Sequence, residues 1–376
     1  MTVLHVITGL IQGGAERALY NLIMNSKNEC KHIVISLTDE GYFGSLLERN
    51  GIECFYLKMP RRRLRILSLF KMYKLIKKIN PNIVQTWMYH ADLIGGLISY
   101  FAGIQKIYWG VHNFNLDKNV TPITTIITSR LCALFSNFIP TKIIICSKNS
   151  IPVHTKIGYK NNFEVINLGT QLSKFKFDIF NREKIRKKFK IKKNSFVMCC
   201  VARWDIIKDH ENLIKSLSFI DKKLISKKNI YLLLIGNNMN NNNKHLNEII
   251  SNNSLNNIKL KLLGSRDNMN EIYSAIDLHI LPSKGEAFPN VICEAMSSGA
   301  VCIGTKVGDV NEIIGDTGWL VERSNPKSLG NALTESIQEF EDVKKWSKRK
   351  LMSRKRIEEN FGMKKMVKNY IDNWTK

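Results

Sequence analysis

The chain reads as an α/β protein made of two doubly wound parallel sheets. Three observations predict this. Short apolar strands alternate with longer helical patterns from end to end. Its 376 residues are long for one core and comfortable for two. The strand pattern also lapses once, over a Lys- and Arg-rich stretch at 171–193, and then resumes.

Strands are expected near Val3–Thr8, His32–Leu37, Cys54–Leu57, Ile83–Thr86, Lys106–Trp109, Lys142–Cys146 and Phe163–Ile166. Helical patterns fill the gaps, including Ala15–Met24, Ile66–Ile79, Ala91–Phe101 and Ile123–Phe138. Residues 171–193 read as a linker followed by an amphipathic helix. A second run of strands follows at Ser195–Val201, Ile230–Ile235, Ile258–Leu263, Leu278–Leu281, Val301–Gly304 and Gly318–Val321. Asn237–Asn243 is an Asn-rich, solvated loop. The expected domains are therefore 1–170 and 171–359, facing a central cleft that takes the ligand.

Composition narrows the class. Hydrophobic content of 44% with 24% charged residues is ordinary for a globular protein. No apolar run reaches the roughly 18 residues that span a bilayer. Val3–Ile7 reads as a strand, so no leader is expected there. The eight cysteines are scattered, with no C-x-x-C pair. That spacing favours reduced thiols in a cytoplasm over a disulfide framework or a zinc site, with Cys146, Cys199, Cys200 and Cys302 as small buried hydrophobes. The outlier is a net charge of +25. Nucleic acid, an anionic membrane face or phosphorylated substrates would each account for it, and AT-biased codon usage also enriches Lys, Asn and Ile.

The most telling segment is Ser283-Lys-Gly-Glu286-Ala287-Phe288-Pro289-Asn290-Val-Ile-Cys-Glu294. A buried strand ends at Leu281, Gly285 turns the chain, and Pro289 falls near the first helical position, where its missing N–H costs nothing. Such a junction aims N–H groups and a positive dipole end at a phosphate above the sheet. Glu286 stays in the loop while Glu294 sits within the helix. Two acids so separated suit opposite ends of one polyhydroxy ligand better than a shared ion.

Other candidates follow strands. Arg203 and Lys208, after Ser195–Val201, could both reach a diphosphate, though two solvated charges would look the same. Gly13 and Gly14 follow the first strand and permit close backbone approach, but the run is not G-x-G-x-x-G, so a dinucleotide site is not expected. His112 lies just past Lys106–Trp109, and Trp87-Met-Tyr-His90 past Ile83–Thr86, where either acceptor contacts or aromatic packing would suit. Arg61–Arg65 with Ile66–Lys78 forms a basic amphipathic helix and its approach, suited to an anionic membrane or to a solvated outer face. No base-reading module accompanies the charge, so nucleic acid is not expected.

In order and spacing these residues resemble glycosyltransferase family 4, which has the GT-B fold of two Rossmann-like domains. Glu286 and Glu294 match its E-x7-E motif, Arg203 and Lys208 its diphosphate pair, and Val307-Gly-Asp309 with Gly315-Asp-Thr-Gly318 its donor-side tail. Gly13-Gly14-Ala-Glu16 and Val111-His112-Asn113 match weaker signatures. The resemblance implies retaining, metal-independent transfer of a hexosyl or N-acetylhexosaminyl group from a nucleotide-diphosphate sugar, with no other cofactor.

Residue by residue, the resemblance implies that Glu294 holds the ribose hydroxyls and Glu286 the donor sugar. Arg203, Lys208 and the helix start at Ala287, Phe288, Pro289 and Asn290 would take the departing diphosphate. Gly13 and Gly14 would pass near the phosphates, His112 would orient the sugar, and Arg266 would contact the nucleotide. The last helix, about 360–376, would return to the first domain. Two departures are present: Asn167-Leu-Gly169-Thr-Gln171 lacks the family's acidic hinge residue, and Gly236-Asn-Asn lacks a second glycine.

The implied setting is the inner face of a bacterial cell membrane. There the enzyme would extend a saccharide, polyprenyl-diphosphate-linked, for capsule, O-antigen or exopolysaccharide. A GT-B epimerase, a hydrolase of the same donor or a non-enzymatic binding protein are the alternatives.

Overall fold

The computed structural model describes residues 1–60, 65–114, 116, 121–160, 162–226, 228–255 and 257–376. Arg61 to Leu64 of the basic segment lie outside the described residues. The chain divides into two compact units, Met1–Gly169 with Met363–Lys376, and Thr170–Gly362.

In the first unit the strands are β1 (Thr2–Ile7), β2 (Lys31–Ser36), β3 (Glu53–Tyr56), β4 (Ile83–Trp87), β5 (Ile107–Val111), β6 (Lys142–Ile145) and β7 (Phe163–Val165). Among the described residues they form one parallel sheet in the order β3-β2-β1-β4-β5-β6-β7. Its helices are α1 (Gly14–Ser26), α2 (Gly41–Arg49), α3 (Ile66–Ile79), α4 (Tyr89–Phe101), α5 (Ile123–Phe135) and α6 (Ile151–Lys156). The expected strands are all present with ends shifted by a residue or two. The sheet keeps β5 extended to Val111, so His112 leaves it directly at the carboxyl edge. Helix α2 fills the gap between β2 and β3 and opens at Gly41 with a φ of +56.

The second unit carries β8 (Phe196–Val201), β9 (Ile230–Ile235), β10 (Lys259–Gly264), β11 (Leu278–Leu281), β12 (Val301–Thr305) and β13 (Trp319–Val321). Its parallel order is β10-β9-β8-β11-β12-β13. The helices are α7 (Ile179–Lys188), α8 (His210–Ser216), α9 (Lys222–Ser226), α10 (Lys244–Ser251), α11 (Met269–Ala275), α12 (Asn290–Ser297), α13 (Val310–Ile314), α14 (Pro326–Glu339) and α15 (Val343–Asn360). Near-continuous apolar strands such as Ile230–Ile235, buried throughout, are what a sheet covered on both faces requires. Cys199, Cys200 and Cys302 are buried in those strands, and Cys146 lies buried just past β6.

Helix α7 departs from its expected character. Only Ile185 is buried on it, so it lacks the apolar stripe of an amphipathic helix. Arg182 and Arg186 reach inward to Asp277, at 2.6 and 2.7 Å, and to the carbonyls of Ser274, Ala275 and Ile276.

The chain returns to the first unit through α16 (Met363–Thr375). There Tyr370 stacks on Trp87, Trp374 donates to Gln85 Oε1, and Tyr108 donates to the Asn373 carbonyl at 2.6 Å. Beneath this helix runs a buried hydrogen-bond chain. Trp87 Nε1–H donates to His5 Nδ1 and His5 Nε2–H to His32 Nδ1. His32 Nε2–H then donates to Ser26 Oγ, whose proton goes to the Leu22 carbonyl. With Trp87 able only to donate and the Leu22 oxygen only to accept, neutral imidazoles leave one tautomer for each ring.

Burial, and then the neighbouring His32, pushes His5 well down, and burial takes His32 down to about 4. The unfolded imidazoles protonate near 6.5. Stability from these neutral rings is therefore complete above about pH 6.5 and is lost as pH falls toward 4, about 3 kcal/mol for His32 alone. Calorimetry between pH 7 and pH 4.5 should show a falling melting temperature for the first unit. A flat profile would contradict the assignment.

Candidate active site

Parallel strands deliver all their carboxyl ends to one edge, and crossovers leave in opposite directions where strand order reverses. In the second unit that reversal lies between β8 and β11. Arg203 and Lys208 follow β8, and Ser283 to Glu286 follow β11. The reversal thus brings together two sequence segments nearly eighty residues apart.

Lys208 Nζ meets Glu286 Oε1 at 2.6 Å, and Ser283 Oγ donates to the same oxygen at 2.7 Å. The backbone is fixed around the pair. Asp205 accepts from the Ile207 N–H at 3.0 Å, and the Lys284 N–H donates to the Ile207 carbonyl at 2.7 Å. Asp209, at a left-handed φ of +50, accepts from Ser324 and pairs with Lys284 at 3.4 Å. Ser283, Asp205 and Asp209 were not singled out in the sequence. Ser283 opens the Glu286 motif, which was the available signal.

Arg203 behaves differently from Lys208. Its guanidinium pairs with Asp205 Oδ2 at 2.8 Å, and its side chain is 66% exposed against 21% for Lys208. Burial alone would raise the Asp205 carboxyl, but the Ile207 N–H and the Arg203 guanidinium outweigh it and hold the group low. Arg266 is exposed just past β10, two strands from β8, roughly 10 Å along the sheet.

Helix α12 begins at Asn290 with Pro289 as N-cap, one position earlier than expected for the proline. No side chain caps it and its first turn carries no acid, so its N–H groups and dipole remain available to an anion. Phe288 is buried against Phe361 at 5.6 Å. Gly308 backs the loop at a φ of +50, and a Cβ there would stand 2.0 Å from the Glu286 carbonyl. Asp309 N–H also donates to the Ala287 carbonyl at 3.1 Å. Gly236 plays a similar part: a Cβ would meet the Ala202 carbonyl at 2.1 Å, so close approach needs this one glycine. Glu294 is buried in α12 and accepts from Tyr273 at 3.3 Å. Burial and then Glu294 raise that phenol well above its ordinary value, which keeps it a donor.

The first unit reverses strand order between β1 and β4. Gly13 caps α1, and the Glu16 carboxylate folds back so that a Cβ on Gly13 would lie 2.2 Å from it. The space beside Gly14 is open. Burial raises the Glu16 carboxyl. His112 stacks on Trp87 at 5.1 Å with 17° between the planes, and neither ring nitrogen has a hydrogen-bond partner among the described residues. Burial takes its pKa to about 4, so near neutral pH it is an uncharged donor and acceptor. Trp87 and Tyr89 are core residues, so for these two the packing reading holds.

Between them stands Met88, at φ 70 and ψ 153. That region belongs essentially to glycine, costs a side chain about 1–3 kcal/mol and clusters at functional sites. Met88→Gly is expected to raise the melting temperature despite losing a side chain, while Met88→Ala gains nothing. Equal melting behaviour for the two would remove the strain argument.

Residues 181–351 match the family profile of glycosyl transferases group 1. The galactosyltransferase of Escherichia coli that acts on α-D-GlcNAc-diphosphoundecaprenol with UDP-Gal is 25% identical over 292 residues, 76% of this chain and 74% of its own. The chain is a glycosyltransferase with the GT-B fold. The capsular polysaccharide glycosyltransferase CapH of Staphylococcus aureus is 22% identical to this glycosyltransferase, over 89% of its chain and 90% of CapH. HepE of Anabaena, solved with UDP, superposes with a TM-score of 0.85 at 20% identity, covering both chains completely. Among the described residues of the glycosyltransferase, no helix is long and apolar enough to cross a membrane.

Proposed function

We propose that the glycosyltransferase carries out retaining, metal-independent transfer of a hexosyl or N-acetylhexosaminyl group. The donor is a nucleotide-diphosphate sugar, and the acceptor is a polyprenyl-diphosphate-linked saccharide of bacterial surface-polysaccharide synthesis. The observation that carries it is the Lys208–Glu286 pair, set at a sheet reversal in the same unit as the uncapped start of α12. The names of the Escherichia coli and Staphylococcus aureus relatives support the acceptor class and the polysaccharide setting. The UDP bound to HepE makes UDP-sugars the first donors to try.

In this reading Glu294 takes the ribose hydroxyls and Glu286 the transferred sugar. Lys208, Arg203 and the α12 N–H groups at Ala287 to Asn290 hold the diphosphate as the sugar–oxygen bond breaks. The acceptor oxygen bonds to the same face of the sugar, and its proton passes to the departing diphosphate. Fixed cations and a helix dipole supply the charge stabilisation. His112 is assigned to the sugar, Gly13 and Gly14 to the phosphates, and Arg266 to the nucleotide. For Arg203, release from Asp205 precedes that role. In the same reading the enzyme works at the inner surface of the cell membrane, which the lysines of α3 support.

The test is a thermal-shift panel of nucleotide sugars followed by transfer assays with a polyprenyl-diphosphate saccharide. A donor at 100 times its Kd adds about 2.7 kcal/mol of stability. Glu294→Ala should abolish that gain and cut turnover by about 100-fold or more. Turnover that EDTA abolishes and Mg²⁺ restores would overturn the metal-independent part.

A further inference from the structure

Helix α5 is apolar on two faces. Its inner face buries Ile126, Ser129, Cys132 and Ala133. On the outside, Ile123, Ile127, Leu131 and Leu134, with Phe138 just beyond, form a second stripe, from 41% exposed at Leu131 to 72% at Phe138. Spacings of three and four residues keep Ile123 to Leu134 in line over about 16 Å. A helix that is hydrophobic all round is ordinarily buried on every side. Here one side faces solvent.

The surroundings indicate what covers it. Helices α3, α4 and α5 pack successively as one layer on the same sheet. Phe101 at the end of α4 is also exposed, and α3 adds exposed Ile66, Leu67 and Phe70 together with Lys71, Lys74, Lys77 and Lys78. This overturns the simple division expected for α3, because its buried face is Ser68, Met72 and Ile76 while its first apolar turn points outward. Between Glu53 and Glu164 the sequence holds only two acids, Asp92 and Asp117, against sixteen Lys and Arg. Asp92 is fully buried, where it accepts from Thr86 and the Gly110 N–H.

We infer that the outer stripe of α5 is the element by which this enzyme inserts into an anionic lipid surface, with the α3 lysines holding the headgroups. The inference rests on the membrane reading above and deepens it by naming the inserting residues. The charge decides between occupants. A face rich in Lys, with no exposed carboxylate among the described residues between Glu53 and Glu164, repels a second copy of itself and attracts acidic lipid. Apolar side chains flanked by lysines also match the depth profile of an interfacial helix, with apolar groups at the acyl boundary and cations among the headgroups.

The test is co-sedimentation of the full chain with vesicles of phosphatidylglycerol and phosphatidylethanolamine, against vesicles of phosphatidylcholine alone. Wild-type protein is expected on the anionic vesicles. The double variant Ile127→Gln, Leu134→Gln is expected to bind them about 30-fold more weakly. Its melting temperature and its transfer to a water-soluble acceptor should be unchanged. In a Phe138→Trp variant, the added fluorescence should shift to the blue with anionic vesicles and not with neutral ones. Wild-type and double variant binding equally well would overturn the stripe while leaving membrane association to α3. A wild-type protein that ignores both vesicles would overturn the membrane reading itself. A wild-type dimer that the double variant converts to monomer would assign the stripe to self-association and overturn the inference.

Discussion

Turnover of the Lys208→Ala variant is expected to fall by about 100- to 1,000-fold, the size of effect seen when one preorganised donor to a developing anion is lost. Lys208 is held in place before any substrate arrives, by the Asp205 cap behind it and by Glu286 in front. Its charge is therefore already oriented when the diphosphate oxygen gains charge. Alanine also leaves Glu286 held by Ser283 without its lysine, so the carboxylate loses its position as well as its counter-ion. A double-mutant cycle separates the two effects. If Lys208 and Glu286 act as a unit, Lys208→Ala with Glu286→Gln should be no slower than the worse single variant. Circular dichroism and calorimetry on the same preparations check that unit two still folds. Rates near wild type in both single variants would remove the pair from the site.

The second large effect is on stability. Asp277→Asn is expected to lower the melting temperature of the second unit by about 10 °C or more. Asp277 is 1% exposed and receives Arg182, Arg186 and the Val197 N–H. Arg186 is itself drawn down by burial and held up by Asp277. Neutralising the one acid leaves two partly buried guanidinium groups facing each other. Removing one partner of a buried ion pair costs about 3–5 kcal/mol, and a unit of this size loses about 2–4 °C per kcal/mol. Differential scanning calorimetry, with the first unit's transition as an internal reference, measures it. An unchanged second transition would mean that α7 is held by Ile185 alone.

The strands were readable in the sequence because buried parallel strands are short apolar runs bounded by turn residues, and Leu278–Leu281 or Ile230–Ile235 admit little else. The Glu286 to Glu294 segment was readable for a similar reason, since its turn, proline and helix start lie in consecutive residues. What joins Glu286 to Lys208 is strand order, and no local pattern encodes that β11 lies beside β8. The partnership of Arg203 with Asp205 was in plain view two residues apart, but sequence gives no measure of which cation is exposed. Segment 171–193 reads as a linker and an amphipathic helix, but its charge pattern does not show what the arginines meet. Its arginines face inward only because Asp277, some ninety residues later, awaits them. The Met88 backbone left no trace at all, as a methionine there looks like any other strand-end residue.

The closing helix has an implication for how the molecule is made. Residues 363–375 leave the ribosome after the whole of the second unit, yet Tyr370 and Trp374 complete the aromatic layer over Trp87 and His5. During vectorial synthesis the first unit must wait, with that layer uncovered, for some two hundred residues to emerge. The first unit to reach its final state is then the later one in the chain, and any nascent fragment ending before Met363 presents unshielded indole and imidazole rings to chaperones.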